Sequence, residues 1–227
     1  MNGVIDAQAV GLGTFGRVYF RRRYGILFYT LLLTMVMLPL GSVLGLNGAV
    51  IELLLAANLL AAVMPVDAGP HRRFLLAAMA FVWLARPVTA WLDHPLVSSM
   101  TLVIWTLIGL IAAATALRFA MGATQVDAEH LYAALSAYLL AGIFFGLFYW
   151  ALEQHGPGTF TAPGDFSRMS AIYFSFVTLA TLGYGDIVPR TDLVRGFAIL
   201  EGVGGQLFLA VMVARLVSLY TRLPESD

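Results

Sequence analysis

The chain has 227 residues, of which 60% are hydrophobic and 11% charged, with a mean hydropathy of +0.84. Soluble domains carry about 25% charged residues, so this deficit points to a surface that faces lipid. The 13 basic and 13 acidic residues cancel, which offers no electrostatic footprint for nucleic acid, and the lack of cysteine excludes disulfides and thiolate metal sites.

A spanning helix needs about 20 apolar residues. In chain order, six segments meet that need: about 24–46, 49–66, 74–91, 97–117, 131–152 and 193–220. The first follows Arg21, Arg22 and Arg23 and has no small-residue cleavage site after it, so it reads as an uncleaved anchor. The second holds Glu52 and Asn58, and the third holds Arg86; Glu52 and Arg86 are placed to pair between the two helices. The fourth carries no charge, and Arg118 follows it. His71, His94, His130 and His155 show no metal-ligand spacing and read as loop or interfacial residues.

Basic residues set the orientation. Arg17 and Arg21–Arg23 precede the first span, Arg72 and Arg73 lie between the second and third, Arg118 follows the fourth, and Arg215 and Arg222 end the sixth. Six crossings put all of them on one side, which the positive-inside rule makes cytoplasmic, with both termini.

Between the fifth and sixth spans the pattern changes. Residues 153–165 are polar and rich in glycine and proline, which predicts a loop. Residues 167–180 are apolar but too short to cross, which predicts a re-entrant half-helix capped by Ser167 or Asp165. Its C-terminal partial negative charge favours a cation. It leads into Thr181, Leu182, Gly183, Tyr184, Gly185 and Asp186. T-x-G-Y-G-D arises by chance at about one in a million positions. Glycine at alternate positions suits a backbone whose successive carbonyls must all point one way. A glycine-rich turn with an interfacial tyrosine is the bland alternative.

This segment resembles the selectivity filter of potassium channels, and residues 131–220 are similar to the pore module of tetrameric six-transmembrane potassium channels of the prokaryotic type. The resemblance implies an all-α membrane protein with six transmembrane helices and a re-entrant pore helix and filter between helices five and six. Its domains would be a cytoplasmic segment (1–23), a voltage-sensor-like domain (24–117), a linker (118–130), a pore domain (131–222) and a short tail (223–227). The likeness of helices one to four to a sensor domain is one of number, position and polarity alone.

Carried over residue by residue, K⁺ would meet Thr181 through its hydroxyl and carbonyl, and Leu182, Gly183 and Tyr184 through carbonyls, with Gly185 completing the strand. The Tyr184 ring would pack against pore-helix aromatics. Asp186 would sit at the outer mouth, with Tyr173 as its hydrogen-bond donor where many relatives have tryptophan. Val177 stands where one relative has a glutamate, Leu182 replaces the usual valine and Ala180 a common threonine; these departures would lie behind the filter, beside Thr178. Glu201 would face the back of the filter and bond pore-helix groups. Gly204 and Gly205 occupy the place of the inner-helix hinge, with close helix packing as the other reading. Some of Gln206, Ala210 and Val213 would line the inner cavity.

Each charge that crosses the field contributes about 2.3 kcal/mol per 100 mV, and the fourth span has none. Strong voltage gating is therefore not expected. The sequence thus predicts a K⁺-selective homotetramer, three further copies and lipid being its partners, with no cofactor, no enzymatic chemistry and no nucleic acid. A weakly selective cation channel, a secondary transporter and a non-conducting subunit are the alternatives; a transporter lacks its second interrupted helix here.

Overall fold

The computed structural model describes residues 22–43, 48–63, 73–80, 84, 95–122 and 127–220. Helix α1 (Arg23–Val43) is followed by α2 (Gly48–Val63), a helical stretch at 73–80, α3 (Pro95–Met121) and α4 (Ala128–His155). Strand β1 (Phe160–Thr161), helix α5 (Arg168–Leu179), strand β2 (Val188–Pro189) and helix α6 (Asp192–Tyr220) complete the order.

Among the described residues, four segments are long and apolar enough to cross a membrane: Arg23–Gly41, Thr101–Met121, Ala128–His155 and Asp192–Arg215. They match the expected first, fourth, fifth and sixth spans. The described part of the second, α2, has 16 residues, about 24 Å of rise, against the ~30 Å hydrocarbon core. Most of the third lies outside the described residues, as do Arg86, His71 and His94. The fourth helix runs on through Arg118 to Met121. A helix stops where its hydrogen-bonding geometry stops, and one arginine in the last turn suits the dipole rather than ending it.

Helix α4 is the hub: α1, α3, α5 and α6 all pack on it. Asp127 starts it, accepting the His130 amide at 2.8 Å. At the same end the Tyr24 amide of α1 donates to Glu129 Oε2 at 3.0 Å. The His130 ring stacks on Phe119 of α3 with centroids 4.4 Å apart. Leu27, Leu31, Leu140, Ile143 and Phe144 are buried in the larger core, and the charge-free fourth span thus folds back on α4 of its own chain. Farther along, α4 and α5 approach so closely at Gly146 that a Cβ there would stand 2.5 Å from Ile172 Cα.

A smaller core of Tyr149, Phe160, Phe174, Ile187 and Val194 supports α5 from the loop side. The Phe160 ring lies 4.2 Å from Phe166 and 5.2 Å from Phe174. A short strand pair lies within this otherwise helical fold. β1 and β2 pair antiparallel, Phe160 opposite Pro189 and Thr161 opposite Val188, and the Arg190 amide donates to Thr159 O at 2.8 Å. Two-residue strands are too short to show a period of two, so the segment reads as loop in the sequence. Glu153 stitches this loop to α4, with Oε1 accepting Gly158 N at 2.6 Å and Oε2 accepting Phe160 N at 3.1 Å.

Candidate functional site

The site begins with a helix that ends on purpose. Ser167, rather than Asp165, caps α5, its Oγ accepting the Ser170 amide at 3.1 Å. At the other end Ala180 N donates to Phe176 O at 2.9 Å and Thr181 N to Thr178 O at 3.0 Å. The Val177 carbonyl then takes Leu182 N at 2.9 Å and Gly183 N at 3.5 Å. The α5 carbonyls left free by helix termination thus anchor the first residues of the following strand.

Along that strand φ is +56° at Thr181, +56° at Gly183 and +76° at Gly185, and is not positive at Leu182 or Tyr184. In an ordinary strand successive carbonyls point to opposite sides; alternating the handedness of φ swings them toward one side. Glycine takes positive φ without penalty, which accounts for positions 183 and 185. Thr181 is different. A β-branched residue at positive φ is an outlier that costs about 1–3 kcal/mol and persists only where its surroundings impose it. Those surroundings are the Thr178 carbonyl on its amide and Gln206 Nε2, which donates to its Oγ1 at 3.3 Å.

Asp186 ends the strand. Its Oδ1 accepts the Ile187 amide at 3.1 Å and its Oδ2 accepts the Tyr173 hydroxyl at 2.9 Å. The Tyr184 ring lies parallel to that of Tyr173, centroids 6.4 Å apart. Burial and the bond to Asp186 both raise the Tyr173 pKa above its usual 10.

Val177 is buried, and Thr178 faces α6, its methyl 3.8 Å from where a Cβ on Gly202 would stand. The Leu182 side chain is 57% exposed and Tyr184 67%. A single chain therefore leaves Leu182 uncovered. Ala180 is exposed as well.

Behind α5, Glu201 is 1% exposed. Its Oε2 accepts the Tyr149 hydroxyl of α4 at 2.8 Å, and its Oε1 is hydrogen-bonded to Ser175 Oγ of α5. Ser175 and Tyr149 were not singled out from the sequence. The signal for them was Glu201 itself: a carboxyl amid an apolar span requires polar partners, and hydroxyls inside the neighbouring apolar helices are the available ones.

Helix α6 runs unbroken through Gly204 and Gly205. A Cβ on Gly205 would stand 2.5 Å from the Leu179 carbonyl oxygen, so this glycine admits the end of α5. Gly204 has nothing within 4 Å and borders a cleft of about 270 Å³ between α3 and α6. Val213 is exposed. The Glu52 side chain and Arg86 lie outside the described residues, and so does their pairing.

Residues 134–222 match the model of a family described as "Ion channel". Two pore potassium channel c of Oryza sativa subsp. japonica is 37% identical over 98 residues, 42% of this chain and 20% of that protein. Inward rectifier potassium channel Kirbac3.1 of Paramagnetospirillum magnetotacticum is 35% identical over 89 residues, 37% of this chain and 28% of that protein. Protein LctB of Bacillus caldotenax is 32% identical over 100 residues, 41% of this chain and 74% of that protein. The chain thus spans between a fifth and three tenths of the first two relatives. No solved structure matches it.

Proposed function

We propose that this chain, which belongs to the ion channel family, passes K⁺ selectively and passively across a membrane as a homotetramer. The observation that carries the reading is the alternation of positive φ at Thr181, Gly183 and Gly185 within T-L-G-Y-G-D. Carbonyls of Thr181, Leu182, Gly183 and Tyr184, with the Thr181 hydroxyl, replace the hydration shell of the ion. One such strand cannot close a ring, so four chains surround the axis. The large apolar side chains left open on α6, among them Ile199, Leu200, Val203 and Leu207, suit burial against such copies.

In this reading α5 is a re-entrant pore helix, one of the elements tolerated at membrane depth only where protein or water covers its end. Asp186 faces outward, and the arginine-bearing ends and both termini face the cytoplasm. The first four spans form a sensor-like domain that moves little charge, since Arg118 is the single cation of α3. Gly204 and Gly205 stand where the inner helix bends, and no cofactor takes part.

Reconstitution of the purified chain into liposomes tests this. The expected result is flux of K⁺ that excludes Na⁺ and varies weakly with voltage. Equal passage of Na⁺ would sink the selectivity claim, and an absence of flux would sink the channel assignment for the chain by itself.

A further inference from the structure

Ser175 Oγ lies 2.7 Å from the Gly142 carbonyl oxygen and is also hydrogen-bonded to Glu201 Oε1. A hydroxyl carries one hydrogen, and a carbonyl oxygen has none to give. The Ser175 hydrogen therefore belongs to Gly142 O, since otherwise two lone-pair oxygens would face each other at that distance with nothing between them. The contact with Glu201 is then left without a hydrogen unless the carboxyl brings one. Tyr149 donates to the other carboxyl oxygen at 2.8 Å. With the proton on Oε1, every contact holds one hydrogen: Tyr149 to Glu201, Glu201 to Ser175, Ser175 to Gly142. With a carboxylate the count fails by one.

We infer that Glu201 is a neutral carboxylic acid that donates to Ser175 and so acts as a positioning residue for the filter strand. The inference rests on the reading of residues 181–185 as a K⁺ filter. The chain of bonds joins all three pore-region helices: Gly142 and Tyr149 on α4, Ser175 on α5 and Glu201 on α6. Ser175 lies half a turn before Val177, whose carbonyl holds the amides of Leu182 and Gly183. A shift of the α5 end on α4 is thus a shift of the filter strand. Two alternatives explain less. An ionised glutamate, 1% exposed, would sit in an apolar span with two hydroxyls to compensate it, one of them already directed elsewhere. A purely space-filling side chain would not need a carboxyl.

Infrared spectroscopy of the purified full chain in lipid, paired with flux, tests the inference. At neutral pH the wild-type minus E201Q spectrum is expected to contain a carboxylic-acid carbonyl stretch. That stretch is expected to move to higher frequency in S175A, where the acid loses its acceptor. A difference spectrum holding carboxylate stretches alone overturns the proton. In liposomes E201A is expected to lose most of the K⁺ preference over Na⁺, and E201Q, which keeps one donor and one acceptor, to restore it. Wild-type selectivity in E201A, or failure of E201Q to rescue, overturns the positioning role. The infrared result needs no conduction, so a wild-type chain that passes no K⁺ would refute the functional reading separately. Should E201A not fold, E201Q and the spectra still decide.

Discussion

Tyr173 and Asp186 hold the strand of residues 181–186 at its far end: the phenol donates to Oδ2 at 2.9 Å, and the same ring lies parallel to Tyr184 at 6.4 Å. One side chain thus fixes both the aspartate and the tyrosine of the motif. Tyr173→Phe keeps the ring and removes the bond. The expected outcome is unchanged K⁺ over Na⁺ selectivity with faster decay of current under steady conditions, read in single-channel recordings. The fold raises the Tyr173 pKa above 10, so the neutral donor is favoured; the contribution is complete below pH 10 and is lost as pH rises through the higher folded value. The decay rate is expected to be flat from pH 7 to about 9 in the wild type. Acceleration within that window would contradict the bond.

Gly183 and Gly185 have φ of +56° and +76°. An L-residue in the left-handed region costs roughly 1–2 kcal/mol, and it relieves that strain by turning a carbonyl away. Gly183→Ala and Gly185→Ala are each expected to abolish discrimination between K⁺ and Na⁺ in liposome flux while leaving helical content by circular dichroism unchanged. Selective flux in either variant would contradict the assignment of the strand. Neither glycine has an atom within 4 Å of an added Cβ in one chain, so backbone conformation rather than crowding is what the substitution tests.

The motif of residues 181–186, the short helix α5 and a cap at Ser167 or Asp165 have local signals in the sequence, and the structure places the cap at Ser167. The four longest spans were legible by length and composition. What escaped is what arises between segments. The β1–β2 pair depends on Glu153 gathering the amides of Gly158 and Phe160, a contact set by the fold of the loop. The Tyr149–Glu201–Ser175 chain joins three helices whose facing sides carry no periodic mark, since a helix surrounded by lipid and protein is apolar all round. Arg118, which follows the fourth apolar run, lies in the last turn of α3, which continues to Met121.

Asp127 caps α4, the helix on which the others pack. Burial pushes its carboxyl up, but the His130 amide and ring and the Glu129 amide outweigh this and hold it below 3.8. A depressed carboxylate contributes stability that is present above the unfolded value and lost as pH falls through the lower folded value. Asp127→Ala is expected to cost about 0.5–2 kcal/mol, the usual worth of an N-cap. Asp127→Asn keeps an acceptor and is expected to cost a fraction of that. Thermal melts at pH 7 and near pH 3 check both: the gap between wild type and Asp127→Ala should narrow at the lower pH. A gap that widens would mean that the charged form does not act as the cap.

Gly204 and Gly205 separate two roles that the sequence leaves together. A Cβ at 205 would stand 2.5 Å from the Leu179 carbonyl oxygen, a backbone atom that cannot turn aside, whereas a Cβ at 204 meets nothing within 4 Å. Gly205→Ala is therefore expected to force α5 and α6 apart and to destabilise by about 1–3 kcal/mol. Because Leu179 lies two residues before Thr181, the loss of K⁺ selectivity should accompany the loss of stability. Gly204→Ala exchanges a poor helix former for the best one, a gain of up to ~1 kcal/mol in helix propensity, with no contact to break. If Gly204 bends the inner helix, its alanine variant keeps selectivity and melts no lower than wild type, yet opens less often in single-channel records. Unchanged open probability would leave Gly204 as surface bordering the cleft between α3 and α6 and would move the search for a bend elsewhere along α6. A Gly205→Ala variant as stable and selective as wild type would contradict the close approach of α6 to the end of α5.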